Sequence, residues 1–152
     1  MLPPEPASAF TSTDQNHRPS PTIQWAEKIR LSGIDCAEKN QDFGTKAKHI
    51  TSILVFAKVV EVDPVTTDRY GRTVAFVRVG DTVVNKELIR QGLARVFTRY
   101  CDRAICQAWQ VLETEAREKR RGVWSMPNAI PPWEFRRSRI LTPARKYSIF
   151  NG

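Results

Sequence analysis

From Arg72 to Val79 the side chains alternate, with Thr73, Ala75, Val77 and Val79 on one side and Arg72, Val74, Phe76 and Arg78 on the other. That period of two predicts a strand. Gly80-Asp81 then predicts a hairpin turn into Thr82-Val83-Val84. A shorter alternation sets Ile29, Leu31 and Gly33 against Arg30, Ser32 and Ile34, and predicts a strand that turns through Asp35-Cys36-Ala37-Glu38. From Asp42 to about Ala57 the spacing becomes helical: Phe43, Ala47, Ile50, Leu54 and Ala57 share one face, with Lys46, Lys48 and His49 elsewhere. Lys58 to Asp63 reads as a strand and Pro64 to Arg69 as a polar connection. Asn85 as an N-cap and Gly92 as a stop predict a short helix, followed by a strand from Leu93 to Phe97. A last helix is predicted from Ala104 to Arg121, burying Ile105, Ala108, Trp109, Leu112 and Ala116 and stopping at Gly122. Pro127, Pro131 and Pro132 predict irregular chain beyond it.

This order of elements implies class α+β, a small β-barrel with helices. Residues 1–24 hold five of the ten prolines, many Ser and Thr and no hydrophobic period, so they read as a disordered lead. The chain therefore divides into a lead at 1–27, a domain at 28–135 and a basic tail at 136–152. No internal repeat is evident.

Charge sharpens the picture. Nine Lys/Arg against two Asp/Glu lie in residues 117–152, and they supply nearly all of the net +8. A positive field of that kind favours a polyanion, nucleic acid or an anionic membrane surface, with a merely solvated tail as the alternative. No window approaches 18 consecutive apolar residues, so no membrane-spanning helix is expected, and the N-terminus has no signal-peptide pattern. Three cysteines are too few for a disulfide scaffold. Cys101 and Cys106 can pair if Cys101 lies outside the helix; two reduced thiols are the alternative. A bond between them would imply an oxidising compartment.

Two clusters could do chemistry. Arg30 lies in a strand whose end carries Asp35 and Glu38, hard oxygen donors suited to Ca²⁺ or Mg²⁺, and a carboxylate beside a cation and a water can act as general base. Asp68-Arg69-Tyr70-Gly71-Arg72 forms the turn into the best-patterned strand, where an arginine fork can grip phosphate oxygens. Alone, each cluster is more often a surface or capping turn with solvated charges.

Together they resemble the thermonuclease (staphylococcal nuclease) family. Ile29-Arg30-Leu31-Ser32-Gly33-Ile34-Asp35-Cys36-Ala37-Glu38 is similar to its strand ending in Asp-x-Pro-Glu, and Asp68-Arg69-Tyr70-Gly71-Arg72-Thr73-Val74-Ala75 to its second signature. Asn85 through Ala94 and Arg121-Gly122-Val123-Trp124-Ser125 resemble two further blocks, so that the likeness covers about Ile29 to Trp133. The resemblance implies an OB-fold-like five-stranded barrel with three helices. It also implies a Ca²⁺-dependent, monomeric endonuclease that hydrolyses DNA and RNA, breaking the bond to the 5′ oxygen. Arg30 and Arg72 would clamp the phosphate and Glu38 would orient or deprotonate the attacking water. Asp35 and the backbone carbonyl of Cys36 would bind Ca²⁺, and Arg69, Tyr70 and Tyr100 would line the nucleotide pocket.

The sequence departs from that family at three places. Cys36 replaces a small hydroxyl residue, Ala37 replaces the proline of the turn, and residues 1–27 contain no Asp-Gly-Asp-Thr-like loop. Asp14 is the nearest stand-in and lacks a flanking strand pattern. The first-strand region is accordingly expected to be lost through a truncated or mis-started reading frame, or the chain has diverged from catalysis. A lost leader would imply a secreted or periplasmic protein, and otherwise a cytoplasmic one. The competing function is an inactive OB-like nucleic-acid-binding module using Tyr70 and the basic tail. His17 and His49 are isolated; Trp109, Trp124 and Trp133 read as core or tail anchors; and Arg136-Arg137-Ser138-Arg139 is expected to add salt-dependent affinity for nucleic acid.

Overall fold

The computed structural model describes residues 27–101 and 104–141. The chain runs through β1 (Ile29–Leu31), β2 (Ile34–Cys36), α1 (Gly44–Val55), β3 (Glu61–Thr67), β4 (Thr73–Val79), β5 (Thr82–Val83), α2 (Val84–Arg90) and β6 (Ala94–Val96). A 3₁₀ turn at Thr98–Tyr100 leads to α3 (Ala104–Glu118), and a second at Gly122–Ser125 leads towards α4 (Pro132–Leu141). The α+β class is the expected one. Among the described residues, however, the expected five strands and three helices are six strands and four α-helices, and the strands form two separate sheets. In the larger sheet β4 lies between β1, which is parallel to it, and β3, which is antiparallel, with β5 folded back on its end. In the smaller one β2 pairs antiparallel with β6.

A two-residue step separates the sheets. The expected strand through Ile34 breaks because Gly33 takes a left-handed conformation (φ +73°). A Cβ there would lie 2.7 Å from the Cys101 sulfur, so only glycine fits. Ser32 N–H still donates to the Ala75 carbonyl (2.7 Å), whereas the Gly33 carbonyl accepts from Phe97 N–H (2.9 Å). The chain thus passes from one sheet to the other within two residues, carrying Arg30 on one side of the step and Asp35 on the other.

Other expectations are corrected for identifiable reasons. β3 starts later than Lys58 and continues through Pro64 to Thr67, where a polar connection was expected. Proline is tolerated because β3 is outermost in the described sheet and its register shifts between Pro64 and Thr66. α3 buries Cys106, Trp109 and Ala116, with Ala108 and Ile105 exposed. Its inward face is set by Cys106, which is tied to Cys101 by a disulfide with Cα atoms 5.8 Å apart. Pro132 opens α4 where irregular chain was expected, at a first-turn position whose N–H has no helical acceptor to lose.

The core is built on α2, where Val84, Leu88 and Ile89 are wholly buried against Trp109, Leu93 and Val96. Asn85 is buried with them and is not the N-cap; Val83 occupies that position. The Asn85 Oδ1 accepts from Val77 N–H (3.0 Å), and its Nδ2 donates to the carbonyls of Ser32 (3.0 Å) and Ala75 (3.3 Å). Gly92 and Gly122 meet back to back, joined by Val123 N–H donating to the Gly92 carbonyl (2.9 Å), and a Cβ on either would strike a carbonyl of the other segment. The two later sequence blocks therefore serve packing.

Candidate active site

The parallel register of β1 on β4 pairs Arg30 with Val74. Paired residues project to the same face, and so do alternate residues along a strand, so Arg30 shares a face with Arg72, the residue just before β4. Among the described residues Arg30 makes no ion pair or hydrogen bond through its side chain. Arg72 is aimed by the turn that precedes it. The Asp68 Oδ1 accepts from the N–H groups of Tyr70 (2.9 Å) and Arg72 (3.0 Å), and its Oδ2 accepts from Arg72 Nε (2.7 Å). Desolvation raises the Asp68 carboxyl, but the hydrogen bonds from the Arg72 backbone and guanidinium and from the Tyr70 N–H outweigh it and hold the group below its usual range. Asp68 engages the Nε edge of Arg72 and leaves the terminal nitrogens without another hydrogen-bonded partner among the described residues. Tyr70, 69% exposed, has the Arg69 guanidinium 4.9 Å and the Arg72 guanidinium 5.5 Å from its ring centroid.

The acids lie across the Ser32–Gly33 step. Asp35 sits in β2 opposite Arg95 and is only 8% exposed. Glu38 follows in a turn that two later residues fix. Glu38 N–H donates to Gln41 Oε1 (2.9 Å), Gln41 N–H donates to the Glu38 carbonyl (2.8 Å), and Gly44 packs so closely on that carbonyl that no Cβ fits. These contacts hold the turn in which Ala37 replaces a proline. Burial, and then the charges of Asp35 and Glu38, push the Cys36 thiol up to about 12, which favours its protonated form.

Arg136 joins the two acids. Its Nη1 lies 3.1 Å from Asp35 Oδ1 and 2.6 Å from Glu38 Oε1, and its Nη2 lies 2.5 Å from Asp35 Oδ2. Hydrogen bonding to Asp35 is the leading cause that raises the Arg136 guanidinium, which stays charged. The segment before α4 and the first turn of α4 are anchored so as to deliver this side chain. Gln41 Nε2 donates to the Ile130 carbonyl (3.0 Å), Arg95 donates to the Ala129 carbonyl (2.7 Å), and Trp133 stacks on Phe97 with ring centroids 5.1 Å apart. Arg136, expected to be a nucleic-acid contact, is instead engaged internally, while Arg137 and Arg139 on α4 are exposed.

Ca²⁺ takes six to eight oxygen ligands. Among the described residues no third Asp, Glu, His or Cys joins Asp35 and Glu38 to make a metal-binding group, and a guanidinium lies between the two. As arranged here, these residues do not fit a divalent ion. Of the remaining candidates, Tyr100 ends the 3₁₀ turn at Thr98–Tyr100, and His49 is exposed on α1. Asp14 and His17 lie outside the described residues. Trp109 is core, and Trp124 is an anchor with the Arg95 and Arg117 guanidiniums 4.1 and 4.3 Å from its ring centroid.

Gln41, Asn85 as a buried bridge, and Arg136 as a partner of the acids escape sequence reasoning. The one available signal was the proline-led start of a helix at Pro132, which would have placed Arg136 on an ordered element.

Comparison with known proteins agrees with this architecture. Residues 28–126 match the family described as Staphylococcal nuclease homologue. The chain is 40% identical over 119 residues to Protein ParB of Escherichia coli, covering 72% of this chain and 67% of that one. It is 38% identical over 112 residues to an uncharacterized endonuclease of Escherichia coli O157:H7, covering 73% and 71%. It is 34% identical over 120 residues to the micrococcal nuclease of Shigella flexneri, covering 73% and 68%. With two-thirds of its length matched and relatives of this identity, the chain belongs to the staphylococcal nuclease homologue family.

Proposed function

We propose that this protein is a Ca²⁺-dependent endonuclease that hydrolyses phosphodiester bonds in DNA and RNA. The observation that carries the reading is the β1–β4 register, which sets Arg30 and Arg72 on one face at one end of the paired strands. Two guanidinium forks there would grip the non-bridging oxygens of a single phosphate and stabilise the charge that develops during attack. Glu38 would take the proton from the attacking water, and the bond to the 5′ oxygen would break to leave a 3′-phosphate. Tyr70, exposed between two arginines, would stack on a base, with Arg69 beside it. The exposed Arg137 and Arg139 would add sequence-independent attraction to the backbone. The disulfide between Cys101 and Cys106 supports an oxidising compartment. Among the described residues no helix is long and apolar enough to cross a membrane.

Plasmid and RNA cleavage with Ca²⁺ and with chelator test this reading. Glu38→Gln is expected to lower the cleavage rate by about a hundredfold or more, the usual share of a general base, and to leave the affinity in a gel shift within a few-fold. Cleavage by the variant at the parent's rate would remove Glu38 from the mechanism. The second reading, a binding module without catalysis, is favoured by one observation, the ion pairs that engage both acids. Binding that needs no Ca²⁺ and leads to no cleavage would establish it.

A further inference from the structure

The disulfide beside Gly33 lies where the two halves of the candidate site are joined. We propose that the Cys101–Cys106 disulfide is a redox switch for that site. Oxidised, it clamps the Ser32–Gly33 step and holds Arg30 and Glu38 in their working relation; reduced, it releases the step and cleavage stops. This deepens the endonuclease reading, and rests on it in taking Arg30 and Glu38 as parts of one site.

Both sulfurs pack on the backbone of Gly33, where a Cβ would lie 2.7 Å from Cys101 Sγ, 3.1 Å from Cys106 Sγ and 3.4 Å from the Trp109 ring. Gly33 is buried, and at this residue the chain leaves the sheet that carries Arg30 for the one that carries Asp35. Its carbonyl accepts from Phe97 N–H (2.9 Å), and Phe97 leads into the 3₁₀ turn that ends against Cys101. The Cys101 N–H bonds within that turn, to the Thr98 carbonyl (3.2 Å), so the disulfide is the covalent tie from the turn to α3. A ring of contacts thus runs from Gly33 through Phe97, Cys101 and Cys106 back to Gly33. Reduction opens it. The separated sulfurs no longer press together on the glycine, and the bond from Phe97 is left to hold the step. The cysteines are only five positions apart, so the loop they close restrains an unfolded chain less than a long one would. The effect is local, and the core on Val84, Leu88 and Ile89 is expected to stay folded.

Cys106 is 2% exposed whereas Cys101 is only partly buried, so a reductant reaches the Cys101 sulfur. A thiolate of a dithiol attacks Cys101 Sγ, the S–S bond breaks, and Cys106 leaves as a thiolate and takes a proton. The second thiolate of the dithiol then displaces Cys101, which also takes a proton, and the reagent keeps the disulfide. Two electrons have passed to the protein. Cys36 is already a free thiol and is unchanged by this. A reducing compartment would therefore hold the nuclease off, and an oxidising one would turn it on.

Plasmid cleavage by the full chain with Ca²⁺, before dithiothreitol, after it and after reoxidation, tests this. The reduced protein is expected to cleave about a hundredfold more slowly, the cost of displacing a reacting group by about 1 Å, and to recover on reoxidation. Its far-ultraviolet circular dichroism should stay unchanged. A loss of cleavage that merely follows loss of that signal would overturn the proposal and leave the disulfide a staple. Cys101→Ser should cleave at the reduced parent's rate with or without dithiothreitol, and a variant as fast as the oxidised parent would also overturn it. Should the variant fail to fold, hydrogen exchange of the parent decides without reference to activity. On reduction the Phe97 amide should exchange at least about tenfold faster, while the Leu88 and Ile89 amides keep their protection. Phe97 exchange that is the same in both states would overturn the proposal. If oxidised and reduced protein cleave alike, this inference fails and the endonuclease reading stands. If neither cleaves but Phe97 opens on reduction, the endonuclease reading fails and the redox-sensitive step stands.

Discussion

Replacing Arg30 and Arg72 together with alanine is expected to lower phosphodiester cleavage by about 10⁴-fold or more, with the protein still folded. A single preorganised donor to a developing anion is worth about 10²–10³ in rate, so each single variant should lose that much. The double variant should lose less than the product, because groups acting on one phosphate are not independent. The fold should survive. Arg30 has no ion-pair partner among the described residues, and without the Arg72 side chain Asp68 still accepts from the Tyr70 and Arg72 backbones. Arg72→Lys is expected to be nearly as damaging as Arg72→Ala, since a point charge does not reproduce the fork. Single-turnover cleavage paired with a gel shift separates chemistry from binding, and binding should weaken only several-fold. A double variant that cleaves within tenfold of the parent would remove the arginines from the chemistry.

Asn85→Ala is expected to destabilise the protein by about 2–4 kcal/mol, a large share of the stability of a domain of this size. The side chain is wholly buried and serves three backbone groups on two segments: Val77 N–H and the carbonyls of Ser32 and Ala75. Truncation leaves Val77 N–H and the Ser32 carbonyl without that partner in a dry site. The Ala75 carbonyl is less affected because it keeps its bond from Ser32 N–H. Asn85→Asp should also be costly, since it replaces the donor that faces two carbonyls with a second acceptor. Urea unfolding measures this directly, and a loss below about 0.5 kcal/mol, the ordinary level for a surface substitution, would contradict the role assigned to Asn85.

The arginine pair and Asn85 also mark what the sequence could and could not reveal. The arginine pair was legible because Arg30 and Arg72 sit at the ends of alternating runs, whose pattern is local. β4 and α1 fall close to their expected limits for the same reason. Asn85 was misread because an asparagine before an apolar helix looks like a cap, while its actual partners lie eight, ten and 53 residues away. The expected start of β3 at Lys58 is too early because Val59 and Val62 carry the strand pattern although both are exposed. The break at Gly33 and the turned face of α3 depend on the packing of Cys101 and Cys106 against the glycine, a contact between distant segments. Arg136 is the largest omission. Nothing in a run of basic residues says which one meets acids 98 and 101 positions earlier. The acids themselves were identified, but not the cation that holds them.

A crystal structure with a dinucleotide whose bridging phosphate resists hydrolysis tests the central claim most directly. One phosphate should lie within hydrogen-bonding distance of both the Arg30 and Arg72 guanidiniums, with the Glu38 carboxylate facing the same phosphorus through a water. A phosphate held by only one of the arginines, or a Glu38 directed away from it with no water between, would contradict the account.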